Sequence, residues 1–177
     1  MRNKKRKAIF LDRDGVLDKV IMREGKPSSP RKFEEFKLLA GAKECLDEFK
    51  KMGFLNIIVT NQPDIKRGLL KIEDLEKMHR LVREKLPVDD IMVCPHDDRD
   101  HCSCRKPKPG LIKQAVRKWS VDLKKSYVIG DSWKDMGAGR AAGCSTILIK
   151  RKYNEDLKDY DFKVNSLKEA VKIIKNK

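Results

Sequence analysis

Two acids one residue apart, Asp12 and Asp14, follow the apolar run Ala8-Ile9-Phe10-Leu11, and Gly15 comes directly after them. Side chains at i and i+2 of a strand share a face. An extended segment through Asp14 would project both carboxyls from its carboxyl end, the edge at which open α/β sheets hold ligands. Two carboxylates there can bind a hard cation, and one can attack an electrophile while the other moves a proton. Asp-x-Asp-Gly is also ordinary turn chemistry, so other residues must decide between the readings.

Three further apolar runs end in polar groups. Ile57-Ile58-Val59 leads into Thr60-Asn61-Gln62. Residues 90–94 lead through a cysteine-rich loop to Arg105-Lys106-Pro107. Val128-Ile129-Gly130 leads into Asp131-Ser132, with Asp135 close behind. Taken singly these read as a helix cap, a surface loop and a turn.

The elements that must position them alternate along the chain. Strands are expected at residues 8–12, 54–60, 90–94, 126–130 and 146–149. Helical stripes lie between them: Ala42, Cys45, Leu46, Phe49 and Met52; Ile72, Leu75, Met78, Val82 and Leu86; Leu111, Ile112, Ala115, Val116 and Trp119. A short helix is expected at 138–142, and Ser166 with Glu169 predicts a capping box for a last helix. This alternation predicts an α/β fold, a doubly wound, Rossmann-like parallel sheet with right-handed crossovers, as a single domain over residues 1–177. All four polar ends would then share one sheet edge. Residues 13–40 have no period and hold Pro27, Ser28, Ser29 and Pro30, so a loop or flap is expected there. Nothing between the motifs is long enough for a large cap domain.

Cys94, His96, Cys102 and Cys104 form Cys-x-His-x5-Cys-x-Cys. Three thiolates and an imidazole make a closed tetrahedral Zn²⁺ set with no open position, hence a structural site. It would fix the loop that presents Arg105 and Lys106. His101 competes with His96 on spacing, and unliganded thiols are the plainer alternative. Cys45 and Cys144 read as core residues. His79 reads as a partly exposed helix residue, and Trp133 as a wall of the site mouth or a hydrophobic plug.

The chain has 177 residues, 42 Lys and Arg against 27 Asp and Glu, and a net charge of +15. Such a balance favours anionic partners, though a solvated lysine-rich surface gives the same number. No apolar run reaches the ~18 residues of a membrane helix, and the basic start lacks the apolar stretch of a signal peptide. A cytoplasmic protein is expected, and the clustered cysteines suit metal rather than disulfides.

The four motifs, in this order, resemble those of the haloacid-dehalogenase-like (HAD-like) phosphohydrolases. Asp12-Arg13-Asp14-Gly15-Val16, Thr60-Asn61-Gln62, the Cys/His loop and Gly130-Asp131 are similar to the branch of heptose-bisphosphate and histidinol phosphatases. The resemblance implies an Mg²⁺-dependent phosphomonoesterase acting through an aspartyl-phosphate. Asp12 would be the nucleophile and Asp14 the acid and base. Mg²⁺ would be held by Asp12, Asp131 and the backbone carbonyl of Asp14. Thr60 would bind phosphoryl oxygens, and Lys106 would neutralise charge. Arg105, counted with the catalytic residues, would grip phosphate or a substrate oxygen; Lys106 and Asn61 would also bind substrate, with Asp135 supporting Lys106 or a metal-bound water. Cys-Pro-His in that branch favours His96 as the zinc ligand.

One departure stands out: Pro63-Asp64 replaces the Ser-Gly usual in that branch, removing a hydroxyl and adding an acid. The leading substrate is D-glycero-D-manno-heptose 1,7-bisphosphate, losing its C7 phosphate. Histidinol phosphate is the alternative, its ammonium drawn by Asp64 or by Asp97, Asp98 and Asp100. A nucleic-acid 3′-phosphatase ranks lower, because no aromatic-interleaved basic groove is evident, and a non-catalytic zinc-stabilised nucleic-acid module would leave the four aligned motifs unexplained. The expected partner is a small phosphorylated metabolite, met by a monomer without membrane or nucleic acid.

Overall fold

The computed structural model describes residues 5–154 and 156–177. Six parallel strands form the central sheet: β1 (Lys7–Leu11), β4 (Phe54–Asn61), β5 (Asp90–Cys94), β6 (Tyr127–Gly130), β7 (Ser145–Ile149) and β8 (Phe162–Val164). Their order across the sheet is β5-β4-β1-β6-β7-β8. The direction reverses at β1, so its carboxyl end lies at the switch point where such sheets bind ligands.

β1 is buried on both faces, which is why its apolar run is continuous. Ile9 and Leu11 join a core with α1 (Ala42–Lys51), α2 (Ile72–Lys85) and α5 (Leu167–Lys175), through Leu46, Phe49, Met78, Val82, Ala170 and Ile174. Ala8 and Phe10 face the other way, onto α3 (Gly110–Trp119) and α4 (Trp133–Ala142), with Leu111, Ile112, Ala115 and Ala138. Each fully buried side chain of this size contributes roughly 1.5–3 kcal/mol. The strand that carries Asp12 is therefore anchored from both sides.

The expected strands and main helices are present, and four features differ. The stretch 13–40 contains an antiparallel hairpin, β2 (Ile21–Arg23) with β3 (Lys26–Ser28), and a 3₁₀ turn at Phe33–Glu35. Strands of three residues, one of them holding Pro27, carry too few positions to show a period. α4 starts at Trp133 rather than near residue 138, because Ser132 and Asp135 cap each other across its first turn. β8 adds an edge strand too short to show a period. At α5, Ser166 accepts from the Glu169 N–H as expected, but the Glu169 carboxylate takes the N–H of Asn165, one residue before the capping position. No helix is long and apolar enough to cross a membrane among the described residues.

Candidate active site

The four strand ends meet in one cavity of about 480 Å³. Asp12, Asp14, Asn61, Arg105, Lys106 and Asp131 line it, together with Ser29 and Arg31 from the hairpin segment. Parallel register brings this about: Leu11 pairs with Ile58 and Ile129, and Asn61 with Cys94, so the ends of β1, β4, β5 and β6 stand side by side.

Lys106 is the electrostatic centre. Its ammonium lies 2.9 Å from Asp12 Oδ1 and 2.6 Å from Asp135 Oδ1, and donates to the Val59 carbonyl at 2.7 Å. Burial works against its charge, yet Asp12 and Asp135 outweigh burial and hold its pKa above the ordinary lysine value. Asn61 explains how Lys106 is placed. Its amide donates to the Lys106 carbonyl and accepts from the Lys106 N–H, both at 3.1 Å. The Asn61 side chain thus holds the Lys106 backbone while it also lines the cavity.

Oxygens of Asp12, Asp131 and Asp135 lie within 4.8 Å of one another. Burial, then the charge of Asp135, pushes Asp131 up to about 7 and Asp12 well above the carboxylate range. Lys106 compensates Asp12 and Asp135, whereas Asp131 receives the hydroxyl of Tyr153. A buried carboxyl cluster of this kind is short of positive charge, and an oxygen-lined site of this size suits a hard divalent cation, whose ligands sit at about 2.1 Å for Mg²⁺. The residues present fit the metal.

Asp14 is held differently. Its Oδ1 takes the Arg13 guanidinium, at 2.8 Å from Nη2 and 3.3 Å from Nε, while Oδ2 takes Ser29 Oγ at 3.0 Å and Gln62 Nε2 at 2.8 Å. Burial lifts its pKa, but the Arg13 charge and hydrogen bonds, with that of Ser29, outweigh burial and bring it below the usual value. Thr60 is fully buried; its hydroxyl accepts from Gln62 Nε2 at 3.0 Å and is not part of the cavity wall. The two are linked through Gln62, which orients Asp14 from the end of β4.

Arg13 itself is completely buried, an outcome its place between the two acids did not advertise. Beyond Asp14 it faces Asp18 Oδ1 at 3.7 Å and His79 Nε2 at 3.2 Å, with its guanidinium over the Phe36 ring. His79 is therefore buried, not partly exposed as its neighbours in sequence predict. It lies one helical turn from Leu75, on the buried face of α2, a spacing that could have revealed it.

The zinc set assembles as expected. Cys94 Sγ is 3.2 Å from Cys104 Sγ and 3.6 Å from Cys102 Sγ, Cys102 and Cys104 are 3.5 Å apart, and His96 Nδ1 is 3.3 Å from Cys104. Zn–S bonds of ~2.3 Å place tetrahedral sulfurs somewhat under 4 Å apart, so the four atoms can hold one zinc. His101 stands outside the group. Arg105, next in the chain, donates to Asp98 at 2.7 Å and to the His96 carbonyl at 3.3 Å. The added acid Asp64 is likewise already paired, with Arg31 at 2.7 Å and Arg67 at 3.2 Å. Trp133 is 55 % exposed and lines the mouth.

A model of the family described as HAD-hydrolase-like matches residues 103–170. The chain is 33 % identical to the D-glycero-beta-D-manno-heptose-1,7-bisphosphate 7-phosphatase of Pasteurella multocida, over 96 % of this chain and 97 % of that one. The chain belongs to the HAD-like hydrolases. This HAD-like hydrolase is also 35 % identical to the D-glycero-alpha-D-manno-heptose-1,7-bisphosphate 7-phosphatase of Campylobacter jejuni, over 98 % of both chains. Among solved structures it is similar to the D,D-heptose 1,7-bisphosphate phosphatase of B. bronchiseptica complexed with magnesium and phosphate. That match has a TM-score of 0.80 at 28 % identity and covers 96 % of this chain and 98 % of that one.

Proposed function

We propose that this hydrolase removes the C7 phosphate of D-glycero-D-manno-heptose 1,7-bisphosphate through an aspartyl-phosphate on Asp12. The observation that carries the reading is the end-to-end likeness to two enzymes named for this reaction, in a chain whose Asp12, Lys106 and Asp131 share one cavity.

In the first step an Asp12 oxygen attacks phosphorus, and the bond from phosphorus to the sugar oxygen breaks. Asp14 gives its proton to that departing oxygen. In the second step Asp14 takes a proton from water as the water oxygen attacks phosphorus and the Asp12–phosphorus bond breaks. The Arg13 pair holds Asp14 as a carboxylate at rest, the form the second step needs. An incoming phosphate brings negative charge next to Asp14, which raises its proton affinity, so that Asp14 takes up a proton from solvent as substrate binds and has it to give in the first step. Lys106 neutralises Asp12 against an anionic substrate. Mg²⁺, held by Asp12, Asp131 and the Asp14 carbonyl, would offset the negative charge of nucleophile and phosphate.

The second phosphate calls for cations at the mouth, and Arg31, Arg67, Arg105 and Lys134 line the cavity. Asp64, Asp97 and Asp98 are each engaged by an arginine, which weighs against their recruiting the ammonium of histidinol phosphate. In this reading a single domain acts as a cytoplasmic monomer on a small metabolite, with zinc holding the Cys94–Cys104 loop. Relatives carry both anomers in their names, so the anomer is chosen by experiment. Phosphate release is measured from both heptose bisphosphate anomers, histidinol phosphate and a 3′-phosphorylated oligonucleotide. One heptose bisphosphate should be the best substrate by kcat/KM; faster turnover of either of the last two overturns the reading.

A further inference from the structure

The segment after β7 contributes to the site although no motif marks it. Arg151 Nη2 donates to the Gly15 carbonyl at 2.6 Å and Nε does so at 3.2 Å. The Tyr153 hydroxyl donates to Asp131 Oδ2. Asn154 Nδ2 donates to the Asp131 carbonyl at 2.7 Å and to the Ile149 carbonyl at 3.0 Å, and is itself buried. Four consecutive residues thus send three side chains onto the backbone beyond β1 and onto both ends of Asp131. The fit is tight. Gly15 has φ +82°, and a Cβ there would lie 1.9 Å from Asp131 Oδ2 and 2.9 Å from the Tyr153 hydroxyl.

A carboxylate that ligates a metal is usually oriented by hydrogen bonds to its other oxygen. Asp131 has rotational freedom about its own side chain, and β6 ends at Gly130, one residue before it. Tyr153 removes that freedom by taking one oxygen, and Asn154 fixes the backbone from which the carboxyl springs. We propose that residues 151–154 are a positioning strap that presets Asp131 for the divalent cation, with Tyr153 as the residue that selects the ligating oxygen. Tyr153 touches Asp131, not the reacting atoms, so it is a positioning residue. The inference rests on the reading that Asp12 and Asp131 hold the metal.

The test is calorimetric titration of MgCl₂ into metal-free wild-type protein and into Tyr153→Phe, which keeps the ring and loses only the hydroxyl. The variant should bind Mg²⁺ about 10–100-fold more weakly, the usual effect of losing a partner behind a metal ligand. Its Mg²⁺ concentration for half-maximal turnover should rise by the same factor, while kcat at saturating Mg²⁺ stays near wild type. Equal Mg²⁺ affinity in variant and wild type overturns the strap. A fall in kcat with unchanged metal affinity also overturns it. Absence of Mg²⁺ binding by the wild type would instead strike at the underlying metal reading. Asn154→Ala, assayed the same way, supplies a second arm. Weaker Mg²⁺ binding supports the strap, and unchanged binding in either variant overturns it.

Discussion

Lys106 Nζ stands 2.9 Å from Asp12 Oδ1, so the cation meant to steady the phosphate already steadies the nucleophile. The lysine is 3 % exposed, and its other partner, Asp135, is completely buried. Removing one member of a buried ion pair leaves the other uncompensated, at a cost of about 3–5 kcal/mol. Lys106→Met should therefore unfold at markedly lower denaturant concentration as well as lose turnover. Thermal or urea unfolding of metal-free protein checks this; a variant as stable as wild type would show that the pair is energetically idle.

Zinc and Asn61 hold adjacent residues by independent means. Arg105 follows the last thiol directly, whereas Lys106 is also gripped by Asn61, Val59, Asp12 and Asp135. Elemental analysis should find about one zinc per chain, on the closed four-ligand set. Cys102→Ser with Cys104→Ser should lose it, and KM for the bisphosphate should rise about tenfold or more while kcat changes little. A fall in kcat at constant KM would mean that the zinc loop supports Lys106 rather than Arg105.

Much of this was legible because each motif sits at the end of a strand whose apolar run is unbroken. Asp12 and Asp131 needed only their strands, and the zinc thiols only their spacing, whereas His96 is preferred to His101 through the Cys-Pro-His of the resembled branch. What escaped depends on partners far away in the chain. Asn61 finds Lys106 across 45 positions, and Arg13 finds His79 across 66. Tyr153 lies in an irregular segment with no period or motif, and its partner Asp131 is 22 positions earlier. The Thr60 hydroxyl accepts from Gln62, one strand repeat further on, a contact that an apolar run ending in Thr-Asn-Gln does not show.

His79 makes a pH prediction. Burial first, then the Arg13 charge, lowers it from 6.5 to about 3. The folded chain keeps the imidazole neutral, while the unfolded chain binds a proton below 6.5. Stability is therefore undiminished above pH 6.5 and falls as pH drops from 6.5 toward 3, by at most about 1.4 kcal/mol per pH unit from this group. His79→Gln should flatten that part of the stability profile, measured by urea unfolding at pH 7.5 and 5. An unchanged difference between the two pH values would contradict the burial argument.

Arg31 extends from the hairpin segment to the cavity and is gripped by Asp64. That pairing makes an acidic intrusion into a support for a cation. Arg31→Ala should raise KM for the heptose bisphosphate about tenfold or more, the scale of one charged hydrogen bond. Hydrolysis of a small monophosphate such as p-nitrophenyl phosphate should hardly change. Equal losses on both substrates would place Arg31 at the reacting phosphate instead.

The central claim is covalent catalysis by Asp12. Wild-type enzyme is mixed with heptose bisphosphate carrying ³²P at C7, quenched in acid within the first turnover, digested and mapped by peptide. Attack by Asp12 should leave transient, alkali-labile label on the peptide bearing Asp12, and none in Asp12→Asn. Rapid phosphate release with no protein-bound label, or label on a peptide without Asp12, would contradict it.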